Sequence, residues 1–239
     1  LRVAGKAAIS QARSRLGAAA LKALWEESAQ PLGKEGQPGC FYRGLRLMAA
    51  DGSTLDVPDT AENLAHFGKQ SSSRGEAAFP QLRVVRLCEC GPHAILAVRM
   101  GAYRIGENTM AAEVVGHLKP GMLCLADRMY SSFALWQKAA STGAHLLWRT
   151  RSNALLPVEK ALEDGSYLSR IYPSEQARRR KKDCIVVRVI EYELENLEDA
   201  EPVYRLLTTL LEPKEAPAQE LAALYPKRWE IEAVLDEFK

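Results

Sequence analysis

Residues 121–130 read Gly121-Met122-Leu123-Cys124-Leu125-Ala126-Asp127-Arg128-Met129-Tyr130. Five apolar residues between a glycine and an aspartate have the length and composition of a short strand buried on both faces. Helical patterns lie on either side, Asn108 to Leu118 before it and Ser131 to Ser141 after it, and Ala144 to Arg149 returns to an apolar strand. Upstream, Leu82 to Cys90 and His93 to Met100 are two β-branched apolar runs split by Gly91-Pro92, a hairpin signal. Before them, Phe41 to Ala50 is extended and ends at Asp51-Gly52, with Thr54 to Val57 following up to a second break at Pro58. The order is three strands, then helix, strand, helix, strand. That order predicts an α/β fold, a mixed sheet with helices on its faces.

The flanks differ in texture. Ala7 to Ser28 predicts an amphipathic helix with Leu16, Ala20, Leu21, Leu24 and Trp25 on one face, and Pro31 to Cys40 is a loop by its breakers. From Arg151 to Glu212 strand-like runs (Ile185 to Tyr192, Val203 to Leu211) alternate with polar turns and the basic run Arg178-Arg179-Arg180-Lys181-Lys182. Helical composition returns near Ala216, with Pro217 placed to open a first helix and Pro226 the final one. The expected divisions are an N-terminal helix and loop (1–40), the first part of an α/β core (41–152), a β-rich insertion (153–212) and a closing core helix (213–239).

A chain of 239 residues can bury a substantial core, so a stable globular fold is the default. No apolar run approaches membrane-spanning length. The chain opens on Leu1 without a secretory pattern, and both ends read as truncated. Five scattered cysteines, several inside apolar runs, suit reduced thiols and a cytoplasmic setting. A formal net charge of +2 is too small to announce nucleic-acid binding, so local charge has to carry that case.

Two aspartates, Asp51 and Asp127, end predicted strands, and carboxylates at the ends of neighbouring strands converge. The closing segment carries Tyr225, Arg228, Glu232 and Lys239, which at about 100° per residue fall within an arc of about 60° on a helix. Arg228 and Glu232 alone would be an ordinary solvated ion pair, Asp51-Gly52 alone a turn, and Asp127 alone a helix cap. Taken together, three carboxylates suit hard, oxygen-preferring Mg²⁺ or Mn²⁺. Two such ions about 4 Å apart activate the attacking hydroxyl and stabilise the leaving oxygen of a phosphoryl displacement. Cys88, Cys90 and His93 lack a second ligand pair for zinc, and Trp148 in its apolar strand reads as core rather than a base-stacking surface. No phosphate-binding glycine loop, nucleophile elbow or dinucleotide fingerprint is present.

Three blocks in order, Asp51-Gly52-Ser53-Thr54-Leu55-Asp56-Val57-Pro58-Asp59-Thr60 with Asn63 and Phe67-Gly68, then Leu125 to Ser132, then Tyr225, Arg228, Glu232 and Lys239, resemble the DDE transposases of bacterial insertion sequences. The last block is similar to the Tyr-Arg-Glu-Lys signature of the branch named after insertion sequence four. Met129 stands where many members carry a small residue, often glycine. The resemblance implies a ribonuclease H-like catalytic domain whose insertion matches the β-rich stretch. It implies a metal triad of Asp51, Asp127 and Glu232 holding two Mg²⁺ or Mn²⁺ ions, cleavage at transposon ends and strand transfer into target DNA. It also implies DNA as the partner, a homodimer in the DNA-paired complex, and a bacterial, nucleoid-associated setting. Tyr225, Arg228 and Lys239 are the expected contacts to the transposon-end strand, and the run Arg178 to Lys182 is a secondary DNA-binding candidate against its plainer reading as a solvated loop. The alternatives are a metal-dependent DNA nuclease without strand transfer and a domesticated, non-catalytic DNA-binding protein.

Overall fold

The computed structural model describes residues 5–72, 75–193 and 203–232. Helix α1 (Lys6–Ser28) is interrupted at Gly17, whose φ of 73° only glycine adopts readily, and it buries no residue. The predicted apolar stripe therefore faces outward, with Leu16 and Leu24 exposed. The loop behind it is pinned by the buried carboxylate of Glu89, which accepts from Leu32 N (2.7 Å) and Gly33 N (3.1 Å) and pairs with Arg46.

Strands β1 (Phe41–Tyr42) and β2 (Leu45–Asp56) follow, then helix α2 (Ala61–Phe67), a small ribbon of β3 (Ser71–Ser72) and β4 (Gly75–Glu76), and the hairpin of β5 (Gln81–Glu89) and β6 (Ile95–Ala102). Helix α3 (Glu107–Val114), β7 (Met122–Ala126), α4 (Phe133–Ala140) and β8 (His145–Arg149) complete the alternating part. The β-rich stretch supplies β9 (Lys160–Ala161), β10 (Tyr167–Ile171), α5 (Glu175–Arg180), β11 (Ile185–Tyr192) and β12 (Tyr204–Thr208), before α6 (Ala218–Leu224) and a 3-10 turn at Tyr225–Trp229.

Ten strands form one sheet in the order β6-β5-β2-β7-β8-β12-β11-β10-β9, with β1 on β2. β2 pairs antiparallel with β5 but parallel with β7, and β7 is parallel to β8, giving a mixed sheet flanked by helices, the α/β architecture expected. β12 joins β8 antiparallel, so the β-rich stretch extends the same sheet.

Alternation along the central strands separates two cores. Met48, Ala50, Cys124, Ala126, Leu146 and Trp148 face α3 and α4, where Trp136 meets Trp148 edge to face at 5.2 Å. Leu47, Ala49, Leu123, Leu125 and Leu147 face α6 and the segment after it, through Leu221, Tyr225 and Ile231. Both faces of β7 are thereby dry, which is why its sequence is apolar throughout. Trp148 is core, as its context predicts.

Two element boundaries differ from expectation. Asp51-Gly52 does not end a strand: β2 runs unbroken through it because β5 continues to pair from Asp51↔Arg86 to Asp56↔Gln81. Pairing with β7 does stop there, after Ala50↔Ala126. At the other end, α6 passes directly into the 3-10 turn, with Pro226 in its first turn, and helix resumes at 230–232.

Candidate active site

Asp51 and Asp127 are brought side by side by two parallel strands in register, since each follows one partner of the pair Ala50↔Ala126. Neighbouring strands lie about 4.8 Å apart, and both aspartates continue the alternation of Leu47/Ala49 and Leu123/Leu125 towards the face covered by the closing segment. Asp51 accepts from Gly52 N at 2.9 Å. Asp127 accepts from Arg128 N and caps the 3-10 turn Arg128–Tyr130, so the capping role open to it in the sequence is realised alongside its position. Met129 sits on that turn, half exposed, and its φ is not positive. A side chain fits where glycine is common.

The closing segment reaches the same place. The Tyr225 hydroxyl donates to the carbonyl of Ala126 at 3.2 Å, which ties the segment to the residue before Asp127. Arg228 is buried, and its guanidinium lies 3.5 Å from Asp51 Oδ2 and 3.2 Å from Glu232 Oε1. The Arg228–Glu232 pair therefore exists, but it is not the solvated pair of an ordinary helix surface. Burial works against the Arg228 charge, yet Tyr225, Asp51, Asp127 and Glu232 together hold its pKa above the usual value. Lys239 lies outside the described residues.

Burial dominates the electrostatics of Asp51 and pushes its carboxyl up from 3.8 to about 6. The Gly52 N–H and Arg228 act in the opposite sense, while Glu107 and Glu232 add to the rise. Among the described residues, no three His, Cys, Asp or Glu side chains are gathered closely enough to hold a metal ion as they stand. The donor chemistry nonetheless fits a hard dication: the converging groups are carboxylates, burial holds one of them up in pKa, and a guanidinium already occupies the space between two of them.

Several contributors carry no signal in the sequence. Arg86 stands directly across from Asp51 on β5, buried, with Nη2 3.2 Å from Ser53 Oγ and Nε unpaired among the described residues. A cavity of about 270 Å³ opens at the turn that follows Asp127, lined by Arg128, Ser132, Thr150, Arg151, Asn108 and Asn153. The residues of the first block do local work: Thr60 Oγ1 caps α2 by accepting from Asn63 N (3.2 Å), Asn63 Nδ2 donates to Pro58 O (2.9 Å), and Gly68 closes the helix at a φ of 76°.

The basic run lies mostly on α5, with Lys181 in the left-handed conformation that ends it, and is ordered rather than a bare loop. Arg178 donates to Leu155 O at 2.7 Å, Arg179 pairs with Glu175, and Arg180, Lys181 and Lys182 are exposed. Cys40, Cys88, Cys90 and Cys124 are buried free thiols, and burial pushes Cys88 up to about 12. No helix among the described residues is long and apolar enough to cross a membrane.

The profile of the transposase DDE domain matches residues 42–239. The chain belongs to the DDE transposase family. It is 31% identical over 234 residues to the transposase InsG of insertion sequence element IS4 from Escherichia coli (strain K12), covering 97% of this chain and 52% of that protein. It is 29% identical over 144 residues to the putative transposase InsZ of the same organism, covering 60% of this chain and 48% of that one. The chain thus spans about half the length of the curated relatives it matches. Among solved structures, the piggyBac transposase in its synaptic complex with hairpin DNA aligns at a TM-score of 0.48 and 10% identity, over 80% of this chain and 40% of that one.

Proposed function

We propose that this DDE transposase chain is the catalytic core of an enzyme that cuts DNA at transposon ends and joins the freed 3′ end to target DNA, with Asp51, Asp127 and Glu232 as its metal-binding carboxylates. The observation that carries the reading is the meeting at Arg228, where Asp51 of β2 and Glu232 of the closing segment converge beside the end of β7 that bears Asp127.

Bound by those three acids, two Mg²⁺ or Mn²⁺ ions would supply the charge that activates the attacking hydroxyl and stabilises the departing oxygen. The chain itself does the positioning. Parallel pairing sets the spacing of Asp51 and Asp127, and the Tyr225–Ala126 hydrogen bond sets the height of the closing segment above them. Arg228 neutralises the acids and, once they hold metal, becomes available to a phosphate as a planar fork. Lys239 adds a second cation to the same strand contact. The polar cavity at Arg128 and Arg151, at the turn that follows Asp127, suits a nucleotide of the bound strand. The exposed Arg180, Lys181 and Lys182 extend a weaker electrostatic track, and two protomers act together on paired ends.

The test is divalent-metal-dependent cleavage of transposon-end duplexes by the full-length protein, with Asp51→Ala, Asp127→Ala and Glu232→Ala made singly. Each is expected to abolish cleavage while DNA binding persists. Cleavage surviving all three would end the assignment, and cleavage without strand-transfer products would leave a nuclease. Absence of cleavage by the unaltered protein under any divalent metal would leave a DNA-binding protein.

A further inference from the structure

An acid in the first turn of a helix is ordinary, so nothing in the sequence singles out Glu107 at the start of α3. Its setting in the fold is different. A Cβ built on Gly52 would lie 2.6 Å from both Cδ and Oε1 of Glu107. The absence of a Cβ at Gly52 leaves room for a carboxylate to rest against the backbone immediately after Asp51.

Asp51 and Glu107 come to this point from opposite faces of the sheet. Along β2, Asp51 shares the face of Leu47 and Ala49, under the closing segment, and Gly52 shares the face of Met48 and Ala50, where α3 packs. Because β7 ends at Ala126, β2 has no partner on that side beyond Ala50 among the described residues, and the two faces meet at an open edge. A third group points there. The Tyr130 hydroxyl is buried, and after burial itself the groups acting on it most are Glu107, through its charge and a side-chain hydrogen bond, and Asp51.

We propose that Glu107 is a positioning residue of the metal site, an acid just outside the direct ligands whose charge, beside Asp51 at the open edge beyond Ala126, favours the divalent ion that Asp51 holds. The proposal rests on reading Asp51 as a metal ligand. Groups just outside the direct ligands orient them, and their loss weakens metal binding by roughly 10- to 100-fold.

The test is a Mn²⁺ titration of the full-length protein, with unbound Mn²⁺ followed by electron paramagnetic resonance. Glu107→Gln should raise the Mn²⁺ concentration at half-saturation by about tenfold, and Glu107→Asp, which keeps the charge on a shorter arm, should recover part of that loss. A helix-start role alone would leave the midpoint where it is. An unchanged midpoint in Glu107→Gln, with Asp51→Asn losing Mn²⁺, would overturn the role of Glu107 and keep that of Asp51. Asp51→Asn binding Mn²⁺ normally would instead overturn the site reading itself. If Glu107→Gln does not fold, Glu107→Asp decides alone: a raised midpoint sustains the proposal and an unchanged one removes it.

Discussion

Arg228 and Asp51, 177 residues apart in the chain, meet with Nη1 3.5 Å from Oδ2. Arg228 Nη2 also reaches Glu232, so one buried cation compensates two acids. Arg228→Ala is expected to lower the stability of the metal-free protein by about 1–3 kcal/mol, because it leaves partly desolvated carboxylates facing one another. Thermal melts in chelator and in Mn²⁺ check this: the ion should restore more of the melting temperature in the variant than in the parent.

The same substitution bears on DNA. If Arg228 contacts a phosphate of the end strand, Arg228→Ala should weaken end binding and reduce the slope of log affinity against log salt by about 1. Binding measured between low and physiological salt gives the slope, and no change in it would take the phosphate contact away from Arg228.

Burial raises the Asp51 carboxyl from 3.8 to about 6. The folded protein therefore holds a proton that the unfolded chain releases between about pH 4 and pH 6, and metal-free stability falls as pH rises through that window. The contribution is on the order of 3 kcal/mol at most. Urea midpoints in chelator across this range should slope downward for the parent and lose that component in Asp51→Asn, which should be the more stable of the two at pH 7.

Tyr225→Phe removes the hydrogen bond to Ala126 O (3.2 Å) and keeps the buried ring. The expected stability cost is about 0.5–1.5 kcal/mol. Cleavage should suffer more than that figure alone implies, through a lower kcat with little change in KM for end DNA, because the bond sets the closing segment over Asp127.

Arg188 is fully buried and joins the β-rich stretch to the entry of α6. It pairs with Asp164 and donates to Ser166 Oγ (2.7 Å) and Ala216 O (2.7 Å), while Asp164 accepts from Ala218 N at 2.8 Å. Asp164→Ala should cost about 3–5 kcal/mol by leaving that cation uncompensated. The double change Asp164→Ala with Arg188→Met should cost less than the single one, and denaturant unfolding of the set measures the difference.

Most of the architecture was legible in the chain because it follows from local rules. The apolar β7 run, the flanking helical periods and the Gly91-Pro92 hairpin each specify an element from a few neighbouring residues. The boundaries that moved are those where a distant partner overrides a local signal. Asp51-Gly52 carries turn chemistry, but β5 pairs straight through it. The apolar face of α1 has the right period, yet it buries nothing among the described residues.

The candidate site divides the same way. Asp51, Asp127, Tyr225, Arg228 and Glu232 stood out as candidates by residue type and spacing, and the resemblance of their three ordered blocks to DDE transposases is what joined them into one site. Arg86 and Glu107 did not stand out, since one is an arginine within a strand and the other an acid at a helix start. Their proximity to Asp51 arises from cross-strand register and from the missing side chain of Gly52.

By itself, the sequence determined the element order, the two-sided burial of the central strands and the candidate acids, all of which depend on residues near one another in the chain. Only the tertiary structure decided that Arg228 lies between Asp51 and Glu232, that the β-rich stretch extends the same sheet, and that Glu107 rests against Gly52. Those relations depend on which strands pair and which faces are covered. Pairing and coverage are set by the burial of the whole chain, and no short segment encodes them.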